Sequence, residues 1–147
     1  MIGTLRTNII TRMGALLGSS FSQLSFVNNI HQNKFANTYK RFSCLPKAAS
    51  ITAGALQGNT LDHRFELILT DSFNDGAKGN LNDNLQTQKI QELQDYMLLI
   101  YRDLQVNKNI LSSGVLIVNE LNINEAEFLE EEKVCIIRAF INIKYKV

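Results

Sequence analysis

The sequence predicts an α+β fold: a single domain with a mostly antiparallel sheet of about four strands and two helices on one face, in the order α-β-β-α-β-β. Three observations carry that expectation. Apolar residues recur at helical spacing over residues 4–17 and again over 84–106. Residues 60–73 alternate with a period of two, and so does the stretch 134–147. A chain of 147 residues suits one domain over 1–147, with 1–30 as an N-terminal helical region and 39–147 as sheet and central helix.

In the first helix, Leu5, Ile9, Met13 and Leu16 or Leu17 form the stripe, and Gly18-Ser19-Ser20 stops it. A second short helical piece is expected at 21–30. From Tyr39 the chain reads as a strand that Pro46 ends. Residues 48–58 read as a loop or ragged edge strand, broken at Gly54 and Gly58. In "TLDHRFELILTDSF", Leu61, His63, Phe65, Leu67 and Leu69 share one face. The helix of 84–106 carries Leu85, Ile90, Leu93, Met97, Ile100 and Leu104, widened by Leu98 and Tyr101, with Asp83 and Gln86 as a capping box. "GVLIV" at 114–118 is a short strand, and the acidic stretch after it is expected to hold a helical turn. The last strand puts Cys135, Ile137, Ala139, Ile141, Ile143, Tyr145 and Val147 on one face, and its charged end is expected to run beyond the fold or pair with another copy.

The composition is globular: 45% hydrophobic and 20% charged, with one proline. No apolar run is long enough to span a membrane, and no signal-peptide pattern opens the chain, so an intracellular protein is the simpler reading. The net charge of +1 conceals a split. Residues 1–61 hold Arg6, Arg12, Lys34, Lys40, Arg41 and Lys47 with no acid, while the remainder is net −5 from nine basic and fourteen acidic residues. The two parts are suited to complement each other between copies of the chain. They also read as two solvated surfaces, and six dispersed cations make a weak nucleic-acid footprint.

The loop "TDSFNDGAKGNLND" invites two chemical readings and fits neither. An EF-hand frame starting at Asp71 has Asp75 and Gly76 in place, but puts Phe73 at position 3 and Asn82 where the bidentate glutamate belongs. A phosphate loop needs G-x-x-x-x-G-K-[ST], and here Lys78 sits between two glycines with no Ser or Thr following. What the residues suit is a turn that permits positive φ and projects toward a neighbour. Cys44 and Cys135 read as buried thiols, and His31 and His63 have no ligand-spaced partners. No convergent catalytic set is visible, so neither an enzyme nor a cofactor or metal site is expected.

The element order, with "HRFELILTDSFND" and "LQTQKIQELQDYMLLIYRDL" at its centre, resembles the tail-terminator or tail-completion proteins of tailed bacteriophages. The resemblance implies a non-enzymatic virion protein that forms rings, often of six copies, at the head–tail junction or neck. It implies copies of itself, the tail tube, portal or other neck proteins as partners, and passing contact with genomic DNA. It implies location in the virion, with assembly in the host cytoplasm, and no membrane. On that reading the interface candidates are Lys34, Lys40, Arg41, Lys47, Asp71, Asp75, Lys78, Glu125, Glu130, Glu131 and Glu132. The alternative is a small nucleic-acid-binding or regulatory domain that uses the basic N-terminal half.

Overall fold

Leu5, Ile9, Met13 and Leu17 lie on one side of the first helix, α1 (Ile2–Leu17), and all four are buried. The computed structural model describes residues 2–18, 21–23, 40–54, 58–72, 83–111, 114–129 and 134–146. Gly18, at φ 74°, stops α1 in the left-handed conformation that residues with a side chain resist. The elements that follow are β1 (Phe21–Gln23), β2 (Lys40–Gly54), β3 (Gly58–Ser72), α2 (Asp83–Val106), the single turn α3 (Lys108–Leu111), β4 (Val115–Ile123), β5 (Glu127–Leu129) and β6 (Val134–Lys146).

The six strands form one mixed sheet in the order β1-β2-β3-β6-β4, with β5 also pairing β6. β1 runs parallel to β2, and every other pairing is antiparallel. This corrects the expected sheet of about four strands and the order α-β-β-α-β-β; the order is α-β-β-β-α-α-β-β-β. The two strands absent from the expectation, β1 and β5, have three residues each, too few to show a period. β1 replaces the start of the expected second helical piece, whose residues 24–30 lie outside the described residues.

Within the acidic stretch after β4, Glu127–Leu129 form a strand rather than a helical turn because β6 is longer than β4 and offers them a ladder, while residues 130–133 lie outside the described residues. Glu127, Phe128 and Leu129 pair with Ile136, Cys135 and Val134, and between the two strands the Asn124 N–H donates to the Arg138 carbonyl at 2.8 Å. β4 and β5 therefore act as one interrupted strand along β6. The far end of β6 stays inside the sheet: Lys146 pairs with Thr60, and its N–H donates to the Gly114 carbonyl at 2.9 Å. The expected overrun beyond the fold does not occur.

β3 and β6 run in register from Thr60↔Lys146 to Ser72↔Val134 without a shift. Their odd-numbered residues face the helices. Phe65, Leu67, Leu69, Ile137, Ala139, Ile141 and Ile143 are fully buried there against Leu93, Met97, Ile100 and Leu104 of α2 and the α1 stripe. Each large side chain so buried contributes about 1.5–3 kcal/mol relative to exposure. Leu98 stays 39% exposed, so the α2 stripe is narrower than the sequence suggests. The opposite face also buries apolar groups, Ile68 and Ile136, with Leu45, Leu129 and Val134 packed against them.

β2 does not end at Pro46. β1 reaches only as far as Phe42, so at Pro46 β2 is already the outermost strand, where a missing N–H is tolerated. The register against β3 shifts between Pro46 and Ala49 and then continues to Gly54↔Gly58. Gly54 and Gly58 bracket the hairpin instead of breaking it. A Cβ on Gly54 would sit 2.4 Å from the Gly58 carbonyl oxygen, and Gly58 has φ 80°.

Glu120 has φ 56° at the register shift between Asn119 and Leu121, and its carboxylate accepts a hydrogen bond from Asn142 Nδ2 at 2.6 Å. The left-handed conformation costs a residue with a side chain about 1–2 kcal/mol, and the exposed hydrogen bond returns about 0.5–1 kcal/mol. Glu120→Gly is therefore expected to leave stability unchanged or raise it by up to about 1 kcal/mol, and Glu120→Val to lower it by more than about 1 kcal/mol. Urea unfolding midpoints measure this. Equal losses in both variants would show that the carboxylate matters there, not the backbone.

Candidate functional site

β2 passes from a covered end to an open one. At its start, Phe21 packs edge-on to Tyr96 with ring centroids 5.1 Å apart, and Lys40 Nζ lies 5.8 Å from the Phe21 ring and 5.0 Å from the Tyr96 ring. Lys40 also donates to Glu92 Oε1 of α2. Burial alone would lower the Lys40 pKa. The Glu92 hydrogen bond and charge, with Tyr96 and Asp71 behind them, outweigh that and hold it above its ordinary value. Lys40 is a permanent cation that ties β2 to α2. Further along, Arg6 Nε of α1 donates to the Cys44 carbonyl at 2.7 Å, so the helix covers the strand there.

Beyond Pro46 this cover stops. Residues 46–54 are exposed at every position, and Ile51 is 64% exposed. The sequence from Ala48 to Leu61 carries no charged residue. Among the described residues, nothing pairs with the outer side of β2 past Phe42. The opposite edge of the sheet is managed differently. β4 has two register shifts and the left-handed Glu120, and Glu125 and Glu127 are exposed beside it. Bulges and charges of this kind blunt an edge against pairing, whereas a flat uncharged edge invites it.

The candidate interface residues do not gather into one surface. Lys40 and Arg41 are neighbours on β2, so they point to opposite faces of the sheet. Lys47 lies 4.0 Å from Glu66, which also meets Arg138 at 3.4 Å. Asp71 is buried and accepts from Lys89 at 2.8 Å. Glu125 is exposed between β4 and β5. Lys34, Asp75, Lys78, Glu130, Glu131 and Glu132 lie outside the described residues, and with them the loop of 73–82.

Much of the charge split is satisfied within the chain. Arg12 of the acid-free N-terminal part clamps Asp103 with two hydrogen bonds of 2.7 Å, which hold the Asp103 carboxyl below its ordinary pKa. Lys40 reaches Glu92 and Lys47 reaches Glu66 in the same sense.

The two cysteines are buried and unbonded, and burial pushes both thiols up to about 12, so neither is a nucleophile at neutral pH. Among the described residues no group of three or more His, Cys, Asp and Glu side chains converges to hold a metal. An open concavity of 230 Å³ lies beside the β2 register shift, lined by Ala48, Ala49, Ser50, Asp62, Arg64 and Asn142. No helix of the described residues is long and apolar enough to cross a membrane. The chain matches no protein-family model and no curated protein sequence.

The sequence reading of 48–58 as a loop or ragged edge strand included this edge, but not what makes it a candidate interface. Its signal was present: fourteen consecutive uncharged residues from Ala48 to Leu61, with Ala49, Ile51 and Ala53 alternating against Ser50 and Thr52.

His63, opposite Ala49 in the ladder, is buried and stacked on Phe65 at 4.2 Å, and its Nδ1 has no hydrogen-bond partner. Burial lowers its pKa below the ordinary 6.5. The unfolded chain then takes up the proton first, so this site's stability is full above 6.5 and falls as the pH drops below it. Urea midpoints are expected to fall from pH 7.5 to about pH 5.5, and less steeply in His63→Phe. The Asp103 carboxyl contributes only at lower pH, because its folded value lies below 3.8. Equal slopes in the two proteins would refute the assignment.

Proposed function

We propose that the chain is a structural assembly subunit, and specifically a ring-forming tail-terminator or neck protein that joins head or portal to tail in a bacteriophage virion. The observation that carries an assembly role is the outer edge of β2: a strand exposed along nine residues, 46–54, without charge from Ala48 onward, and held only from its β3 side. An edge of this kind is a liability in a monomer and an asset in an oligomer. The virion assignment adds the resemblance of the 64–104 segment to tail-completion proteins; the element order that also suggested it is the one corrected above.

The nucleic-acid reading draws no support from the placement of its cations. Lys40 and Lys47 are paired with Glu92 and Glu66, and Arg41 points away from Lys40. Contact with passing DNA in a ring lumen requires no tight site.

Native mass measurement of the purified chain, followed by mass spectrometry of purified virions, tests the proposal. A closed oligomer and incorporation into the particle at a fixed copy number are expected. A chain that stays monomeric up to about 100 μM, a concentration at which μM-range self-association would be saturated, and that is missing from virions would overturn it.

A further inference from the structure

The two ends of β6 differ in charge. On the face turned away from the helices, Arg64, Lys144 and Lys146 lie at one end of the β3–β6 ladder, and all three are exposed. Arg64 rests over the Phe140 ring at 4.2 Å. Among the described residues, no carboxylate meets any of the three at ion-pair distance. Asp62 stands opposite Lys144 in the ladder without closing a pair, and Glu120 is held by Asn142 at 2.6 Å. Three cations against these two acids leave this end net positive. Ile117, across the ladder from Lys144, is 46% exposed beside them.

The other end is acidic. Glu125 and Glu127 are exposed beside the start of β6, and Glu130, Glu131 and Glu132 follow in the sequence with only Lys133 against them. Glu127 has a share of Arg138, 3.5 Å away, whose other contact is Glu66 at 3.4 Å. Arg41 lies at this end too, but three strands across from Glu127, about 14 Å away. Glu127 stands opposite Ile136, and from Ile136 to Lys144 the strand rises about 27 Å. That is several times the screening length of about 8 Å at physiological salt, so the two ends cannot neutralise each other within one copy.

We infer that the basic end of one copy receives the acidic end of the next, with Arg64, Lys144 and Lys146 set against Glu125, Glu127 and the glutamates of 130–132. The inference rests on the reading of the chain as an assembly subunit, and it adds the two surfaces and the polarity of their contact. Two basic ends repel each other, and so do two acidic ends, so charge selects the contact that joins unlike ends. Such a contact is heterologous. A ring closed by it has two unlike faces, as joining a head to a tail requires, and leaves no copy with an unused end. The contact is made by side chains and needs no shared ladder, so the register shifts of β4 do not oppose it. Exposed ion pairs are individually weak and are screened by salt, so several act together and the association is salt-dependent.

Sedimentation equilibrium of the full chain tests the contact. Raising the salt from about 50 mM to about 500 mM is expected to weaken wild-type self-association about tenfold or more in Kd. A basic-end variant carries Arg64→Gln, Lys144→Gln and Lys146→Gln. An acidic-end variant carries Glu125→Gln, Glu127→Gln, Glu130→Gln, Glu131→Gln and Glu132→Gln. Each should self-associate about tenfold or more weakly than wild type, with circular dichroism checking that both fold. Each retains one working end, so an equimolar mixture should give one-to-one pairs and nothing larger.

Unchanged association in either folded variant, or in wild type at high salt, would overturn the inference; if those oligomers are still found in virions, the assembly role stands. Salt-sensitive association and one-to-one pairs from a chain absent from virions would support the inference and remove the virion assignment. A short fluorescein-labelled single-stranded DNA separates the other occupant of the basic end. Loss of its binding in the basic-end variant, with self-association untouched, would give that end to nucleic acid and overturn the inference.

Discussion

The unshifted ladder between β3 and β6 is the constraint on which the rest of the molecule depends. Because register and face are locked together in a strand, one slipped residue would turn Phe65, Leu67, Leu69, Ile137, Ile141 and Ile143 away from the helices at once. The helices have no comparable freedom to choose. α2 lays Leu93, Met97, Ile100 and Leu104 on the central strands, and α1 lays Leu5, Ile9, Met13 and Leu17 toward β2. The Arg12–Asp103 clamp then joins α1 to α2, and Asn107 Nδ2 steadies the same carboxylate from 3.0 Å. Outer strands are added to this centre in proportion to the backbone left free on it. The β4–β5 strand is interrupted yet still follows β6 along its length.

That order of dependence explains which parts of the fold were legible in the sequence. β3, β6 and the two long helices have ten residues or more and a clean period, so burial forces their pattern into view. β1 and β5 have no period of their own and exist because β2 and β6 offer them partners. β2 was misread at Pro46 because proline argues against a strand only where both edges are paired, and a single sequence does not reveal which strand will be outermost. The charge split was visible, but its meaning was not. A net imbalance between two parts of a chain is the same whether the opposite charges meet within a copy or between copies. Arg12, Lys40 and Lys47 meet theirs within one.

The same reasoning separates the two edges of the sheet. A polypeptide that must stay soluble as a monomer blunts its edges, and the β4–β5 edge carries several such devices. The β2 edge has Arg6 on the Cys44 carbonyl, then Pro46, the register shift and Lys47, and beyond them nothing of the kind. The protection is graded along one strand and stops where the uncharged run begins. Random surface composition would place about one charge in every four or five positions of this chain, and fourteen successive positions hold none.

The energetics at that end point the same way. Only the last pairs, Ala53↔Asn59 and Gly54↔Gly58, extend past β6 as a two-stranded ribbon, which has little stability of its own in water. Ala49 to Gly54 are ordered as strand only by their bonds to β3, with no helix over them and no large side chain to bury except Ile51. Under this end the core itself becomes less complete: Tyr145 and His63 are buried there with an unpartnered hydroxyl and ring nitrogen. Each such group costs about 1–3 kcal/mol, and Ser43 in the covered part of β2 carries one as well. Adding a strand along β2 would pair the free N–H and C=O groups, cover Ile51 and shield the ladder above His63 in one step. On the proposed assembly reading, the segment is half of a structure whose other half comes from outside the chain.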